Sequence, residues 1–228
     1  MKENVKNLVV FDIDGTLIKY HKKRHDRAYV HAVKETFGIT IQDSWTGYKH
    51  STDSGILSEI VEKNLNRPCT SDDTTGFKNS MASWLVRDYG KEPFESMIGA
   101  KECLTKLSAA PDWCAAIATG NWEFSGRFKL NSAGFDIHDV TIASADDGME
   151  RETILQAALL KAEQKFRIEK FGKIVYVGDW IWDVKAANTL GWNFIGIASG
   201  EEKKAILEAG AEHVLPDFTG VLQVLDRI

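Results

Sequence analysis

Short apolar runs, several of them nearly unbroken, recur along this chain, with helical spacing between them. The runs are Leu8–Ile13, Trp113–Ala118, Val140–Ala143, Ile174–Val177, Phe194–Ala198 and His213–Leu215. Strands this apolar are covered on both faces, as in parallel sheets. Between them the pattern predicts helices near 98–109, 122–133, 152–167, 182–190 and 201–209. Ile154, Leu155, Ala158 and Leu159 show the i, i+4 repeat. Gly134, Gly191 and Gly210 follow apolar helical patterns and read as C-terminal stops. Strand–helix–strand alternation implies an α/β fold built on a doubly wound parallel sheet.

The alternation fails from about residue 18 to 95, where three helical patterns replace it. The first carries Tyr29, Val30, Val33 and Phe37. The second carries Ile56, Leu57, Ile60, Val61 and Leu65, and the third Phe77, Met81, Trp84, Leu85 and Tyr89. Stripes at this spacing read as core. The expected organisation is an α/β core domain of residues 1–17 and 96–228, with a small helical cap domain of residues 18–95. Such an insert would sit over the tip of the first strand and exclude water there.

Composition excludes several classes of function. A 228-residue chain suits one large domain with a small one inserted. Its net charge of −5 argues against a nucleic-acid or anionic-membrane partner. The basic run Lys19 to Arg27 is short and reads as a solvated loop or helix start, or as an attractor of an anionic substrate. No stretch of 18 apolar residues suggests a membrane span. Met1-Lys2-Glu3-Asn4 leads into the first strand without a signal-peptide core, so a cytoplasmic location is expected. Cys69, Cys103 and Cys114 lack metal-ligand spacing and read as reduced packing residues. His21, His25 and His138 show no constellation.

The polar groups at the strand ends carry the chemistry. Leu8-Val9-Val10-Phe11 runs into Asp12-Ile13-Asp14-Gly15-Thr16. Closely spaced carboxylates repel unless a cation or a shared proton offsets them. On an ideal strand, Asp12 and Asp14 would share one face. Asp-Gly-Thr is also ordinary turn chemistry. Thr119-Gly120-Asn121 ends the second core strand. Its hydroxyl and backbone N–H groups suit a phosphate, or simply a strand-to-helix turn with an N-cap. Arg151 stands before a helix, where it would clamp a phosphate or carry a surface charge. Asp179 falls at the tip of another apolar strand, and Asp183 follows one turn on. Four acids from two strands form an oxygen-rich site suited to Mg²⁺, with N-capping as the plainer role for the last two.

These segments, in this order, resemble the four motifs of the haloacid dehalogenase superfamily of phosphotransferases, and the likeness runs along nearly the whole chain. Asp12-Ile-Asp14-Gly15-Thr16 looks like its nucleophile motif, and Thr119-Gly120-Asn121 like its phosphate-holding motif. Arg151 takes the place of the third motif's basic residue, more often Lys. Gly178-Asp179-Trp-Ile-Trp-Asp183 looks like the acidic fourth motif. Trp180 and Trp182 stand where small or polar residues are commoner, and they read as core packing or contacts to the cap. The helical insert resembles the caps of phosphoglycolate phosphatase-like and β-phosphoglucomutase-like members. Gly47-Tyr48-Lys49-His50-Ser51-Thr52-Asp53 looks like their cap loop, with Thr52 and Asp53 as helix N-caps or substrate contacts.

The resemblance implies a function. Asp12 would be the nucleophile, and Asp14 would protonate the leaving oxygen and then deprotonate water. Thr119 and Arg151 would act on the phosphate oxygens, with Gly120 and Asn121 binding substrate. Mg²⁺ would lie among Asp12, Asp179 and the backbone carbonyl of Asp14, with Asp183 holding a bound water or orienting the other acids. The expected activity is Mg²⁺-dependent hydrolysis of a small phosphorylated metabolite through an aspartyl-phosphate. A phosphomutase, or a non-catalytic binding module on the same fold, are the alternatives. The chain is expected to be a monomer or homodimer.

Overall fold

Six strands form one all-parallel sheet in the order β3-β2-β1-β4-β5-β6. The computed structural model describes residues 6–20, 24–45, 47–89 and 92–228. Met1–Asn4, His21 and two lysines of the basic run, Lys22 and Lys23, lie outside the described residues, as does the side chain of Tyr89. The strands are β1 (Asn7–Phe11), β2 (Trp113–Ala118), β3 (Thr141–Ala143), β4 (Ile174–Gly178), β5 (Asn193–Ile197) and β6 (His213–Leu215). The helices of this α/β unit are α4 (Ala100–Ala109), α5 (Glu123–Ser132), α6 (Arg151–Phe166), α7 (Ile181–Leu190), α8 (Gly200–Glu208) and a short α9 (Val221–Leu225). The spacing did not predict α9, which is too short to show a period.

Alternation along the strands divides the core in two. Val9, Phe11, Ile117, Val175 and Val177 pack on one face with Leu104 and Leu107 of α4 and Leu225 of α9. Leu8, Val10, Ala116 and Tyr176 pack on the other with Ile154 and Leu155 of α6, Val184 of α7 and Ile206 of α8. Each large side chain removed from water in these layers contributes roughly 1.5–3 kcal/mol. Cys103 and Cys114 are buried free thiols and Cys69 is half-buried, as a packing role requires. Gly134, Gly191 and Gly210 all have positive φ at helix ends.

The segment after β1 holds α1 (Arg24–Phe37), α2 (Asp53–Leu65) and α3 (Ser71–Tyr89). Ala28, Tyr29, Val33, Leu57, Ile60, Phe77 and Met81 bury themselves together. The Tyr29 ring packs 4.7 Å from Phe77 and 5.1 Å from Trp45, centroid to centroid. Leu65, placed in the apolar stripe by spacing, is exposed at the last turn of α2. Trp122 and Ala145 join this cluster from the loops after β2 and β3, so the three helices rest on the carboxyl edge of the sheet. Among the described residues, no helix is long and apolar enough to cross a membrane.

Candidate active site

In this strand order the direction of winding reverses between β1 and β4, the place where open α/β sheets hold ligands. Asp12 follows directly on β1, and Asp179 directly on β4. The first strand ends at Phe11, two residues earlier than its apolar run suggested, so Asp12 and Asp14 both lie beyond it. They therefore do not share a strand face, and they take different partners. Gly15, at φ 79°, turns the chain away. A Cβ there would overlap the Asp179 carboxylate, so only glycine lets the two strand tips approach this closely.

Three acids meet on the β4 side. Oxygens of Asp12, Asp179 and Asp183 lie within 4.8 Å of one another. Arg151, the first residue of α6, is buried among them. Its Nη1 donates to Asp12 Oδ1 at 3.1 Å, and its Nε lies 3.6 Å from Asp183 Oδ1. A unit-charge pair about 4 Å apart is worth about 4 kcal/mol at an effective dielectric constant near 20, so one guanidinium cannot offset three carboxylates. Burial, and after it the charges of Asp183 and Asp14, push Asp12 up to about 8 against the pull of Arg151. Burial, with Asp183, Asp12 and Asp14, likewise pushes Asp179 well above its ordinary value. Burial works against the Arg151 charge, but Tyr176, Asp183, Asp12 and Asp179 hold it protonated.

Asp183 is the most tightly held of the three acids. Its Oδ1 accepts from the Tyr176 hydroxyl at 2.8 Å. Its Oδ2 accepts from the backbone N–H groups of Trp180 at 3.1 Å and Asp179 at 3.3 Å. It caps α7 and fixes the loop carrying Asp179, which is the capping role together with the orienting one. Asp12 and Asp179 are the less constrained carboxylates for a cation, with Asp183 beside them. An all-oxygen set with an excess of negative charge fits Mg²⁺, which binds through one or two carboxylates and keeps other positions for substrate or water.

The other side of the site is charge-balanced. Asp14 Oδ2 accepts from Asn121 Nδ2 at 2.8 Å and from Lys129 Nζ at 2.6 Å. Burial pushes the Asp14 carboxyl up, but Lys129, His25 and the two hydrogen bonds outweigh it and hold it below its ordinary value. Thr119, fully buried at the end of β2, accepts from the Asn121 N–H at 3.2 Å and from Asn121 Nδ2 at 3.1 Å. A Cβ on Gly120 would lie 2.8 Å from the Ser51 carbonyl and 3.2 Å from Arg151 Nη2, so the backbone presses close to both cap and guanidinium.

Sequence reasoning missed Lys129 and the role of His25. Lys129 sits in an ordinary amphipathic helix pattern. The available signal was Ser125, Gly126 and Lys129 falling on one helical stripe just after the site loop that carries Asn121. His25 does belong to a constellation: its Nε2 lies 2.8 Å from Asp53 Oδ1, and Asp53 Oδ2 accepts from the Trp122 N–H at 2.8 Å. The Asp53 N–H donates to the Gly120 carbonyl at 2.7 Å, and the Thr52 hydroxyl to the Met149 carbonyl at 2.6 Å. Thr52 caps α2 through Gly55, as expected, whereas Asp53 ties the cap helices to the sheet. Trp180 and Trp182 do not pack in the core. Their rings meet at 5.5 Å, and Trp182 is exposed. Within the basic run, Lys19 pairs with Glu95 and Arg24 with Glu92, so these cations face acids of the same chain.

Comparison with known proteins places the fold. No curated protein matches the chain. Among solved structures, a hydrolase from Pseudomonas syringae superposes with TM-score 0.71 at 21% identity, covering 98% of this chain and 99% of that one. A predicted phosphoglycolate phosphatase from Haemophilus somnus 129pt superposes with TM-score 0.65 at 20% identity, covering 99% and 100%. CbbY from Rhodobacter sphaeroides, solved in complex with phosphate, superposes with TM-score 0.69 at 18% identity, covering 97% and 99%. At these identities the likeness is one of fold. The model of the haloacid dehalogenase-like hydrolases matches residues 6–191, and the chain belongs to that family.

Proposed function

We propose that this chain is a Mg²⁺-dependent phosphatase that hydrolyses a small phosphorylated metabolite through an aspartyl-phosphate on Asp12. The observation that carries this reading is the convergence of Asp12 and Asp179 at the winding reversal, with Arg151, Thr119 and Gly120 around them. The α1–α3 segment, residues 18–95, acts as the cap that closes over the substrate. The phosphate complex of CbbY, a protein of the same fold, supports a phosphate-sized anion as the group recognised.

Asp12, Asp179 and the Asp14 carbonyl would hold Mg²⁺, which would supply positive charge to offset the repulsion between the carboxylate and an anionic phosphoryl group. Arg151 and Thr119 hold the non-bridging oxygens. The Asp12 carboxylate attacks phosphorus, and the bond to the leaving oxygen breaks with its electron pair on that oxygen. The proton comes from Asp14, whose Oδ1 carries no hydrogen bond among the described residues. An arriving phosphate dianion would favour the acid form of Asp14, against the pull of Lys129 and His25. Asp14 then takes a proton from water, which attacks phosphorus and returns the electron pair to Asp12. The products are alcohol and inorganic phosphate.

The test is a panel of phosphorylated metabolites assayed with Mg²⁺ for release of inorganic phosphate. The expected result is turnover of at least one compound, lost by about 10⁴-fold or more in Asp12→Asn. Interconversion of sugar phosphates without phosphate release would replace the phosphatase reading with a mutase. Undiminished turnover in Asp12→Asn would end both.

A further inference from the structure

A fully buried lysine is rare unless something holds it, and Lys129 is fully buried. Taking an ammonium out of water costs several kcal/mol, and a well-packed apolar side chain at such a position is often as stable or more so. Stability alone therefore gives no reason for a lysine in the middle of α5. The helix is built to bring it to the site. Ser125, Gly126, Lys129 and Leu130 form its buried face. A Cβ on Gly126 would lie 3.0 Å from Ile13 and 3.4 Å from Thr119, so glycine lets α5 press against both motif loops. The Lys129 ammonium then reaches Asp14 Oδ2 and the Asn121 carbonyl oxygen.

The result is a closed triangle. Lys129 and Asn121 both donate to Asp14 Oδ2, Lys129 also donates to Asn121 Oδ1, and Asn121 Nδ2 also reaches Thr119 Oγ1. Both donors use the same oxygen of Asp14. The carboxylate is pinned in rotation, and its Oδ1 is left without a hydrogen bond among the described residues. The asparagine amide is oriented by the lysine, because only its carbonyl end can accept from an ammonium.

We propose that Lys129 is a positioning residue for proton transfer, holding Asp14 by Oδ2 so that Oδ1 faces the leaving oxygen. It also ties that geometry, through Asn121, to the threonine that binds the phosphate. Lys129 touches no reacting atom and acts through Asp14. The inference rests on the phosphatase reading, and it predicts a dependence on the leaving group that a merely structural lysine would not produce. An alkoxide needs a proton as the P–O bond breaks, whereas a nitrophenolate leaves without one.

The experiment is rapid-quench measurement of Asp12 phosphorylation in the wild type, Lys129→Met and Lys129→Gln. The probes are p-nitrophenyl phosphate and the alkyl phosphate hydrolysed fastest in the panel. General acid help is typically worth 10²–10⁴-fold. Lys129→Met is therefore expected to slow phosphorylation by the alkyl phosphate about 100-fold, and by p-nitrophenyl phosphate less than about tenfold. Lys129→Gln keeps an uncharged donor one atom shorter in reach and should fall between. It also carries the test if the methionine chain does not fold by circular dichroism. Equal slowing with both probes, or none with either, would overturn the inference and leave the phosphatase reading standing. A wild type that forms no phosphoenzyme with either probe would overturn both.

Discussion

The two sides of this cleft are charged on opposite terms. On the β1–β2 side, Asp14 meets a lysine and an asparagine, and its carboxyl is held below the ordinary value. On the β4 side, Asp12, Asp179 and Asp183 share one guanidinium, and burial with mutual repulsion drives Asp12 and Asp179 up. Where the chain supplies its own counter-ion, a carboxylate can be aimed by side chains alone. Where acids outnumber cations, the arrangement asks for positive charge from outside. In the proposed reading, the first side would carry the proton and the second would receive the cation and the phosphate.

The largest way to break that contrast is to remove the guanidinium. Arg151→Ala leaves Asp12 and Asp183 without their cation, and loss of one partner of a buried pair typically costs about 3–5 kcal/mol. Urea unfolding of the metal-free chain at neutral pH should show a loss of that order, with turnover falling below about 1% of the wild type, as expected when a phosphate clamp is removed. A variant as stable as the wild type would mean that Arg151 does not carry the charge of that side.

A smaller effect is expected from a residue that belongs to neither side. Asp53→Ala strands the Trp122 N–H and the His25 ring at the junction of cap and sheet. Leaving buried polar groups unpaired costs about 1–3 kcal/mol. The urea midpoint should drop accordingly while the response to Mg²⁺ stays intact. A loss of that response would mean that the cap junction, rather than the acids, governs the cation site.

Much of this was legible in the sequence, and the reasons are physical. The acids at the ends of β1 and β4 could be read because an apolar run that stops at a carboxylate has no stability motive. The inner strands could be read because they are apolar and buried on both faces, whereas the edge strand β6 is only half-buried. Lys129 could not be read, because a lysine among Phe128 and Leu130 looks like any solvated helix residue until the fold closes α5 onto Asp14. His25 and Asp53 lie 28 residues apart, and only the closing of the three-helix cluster brings them together. The core-packing reading of Trp180 and Trp182 fails because local pattern does not reveal which side chains at the start of α7 face solvent.

The most direct measurement is the thermal shift produced by Mg²⁺ at two pH values. With its carboxyl raised from 3.8 to about 8, Asp12 binds a proton more tightly in the folded than in the unfolded chain. The resulting penalty on the metal-free fold is absent below the ordinary carboxyl value and complete above about 8. Stability without the ion therefore falls as pH rises through this window, and Asp179 acts in the same direction. Mg²⁺ takes the place of the protons, so it should raise Tm more at pH 8 than at pH 5, and Asp179→Asn should lose most of the shift. An equal shift at both pH values, or an undiminished one in Asp179→Asn, would contradict a cation held between Asp12 and Asp179.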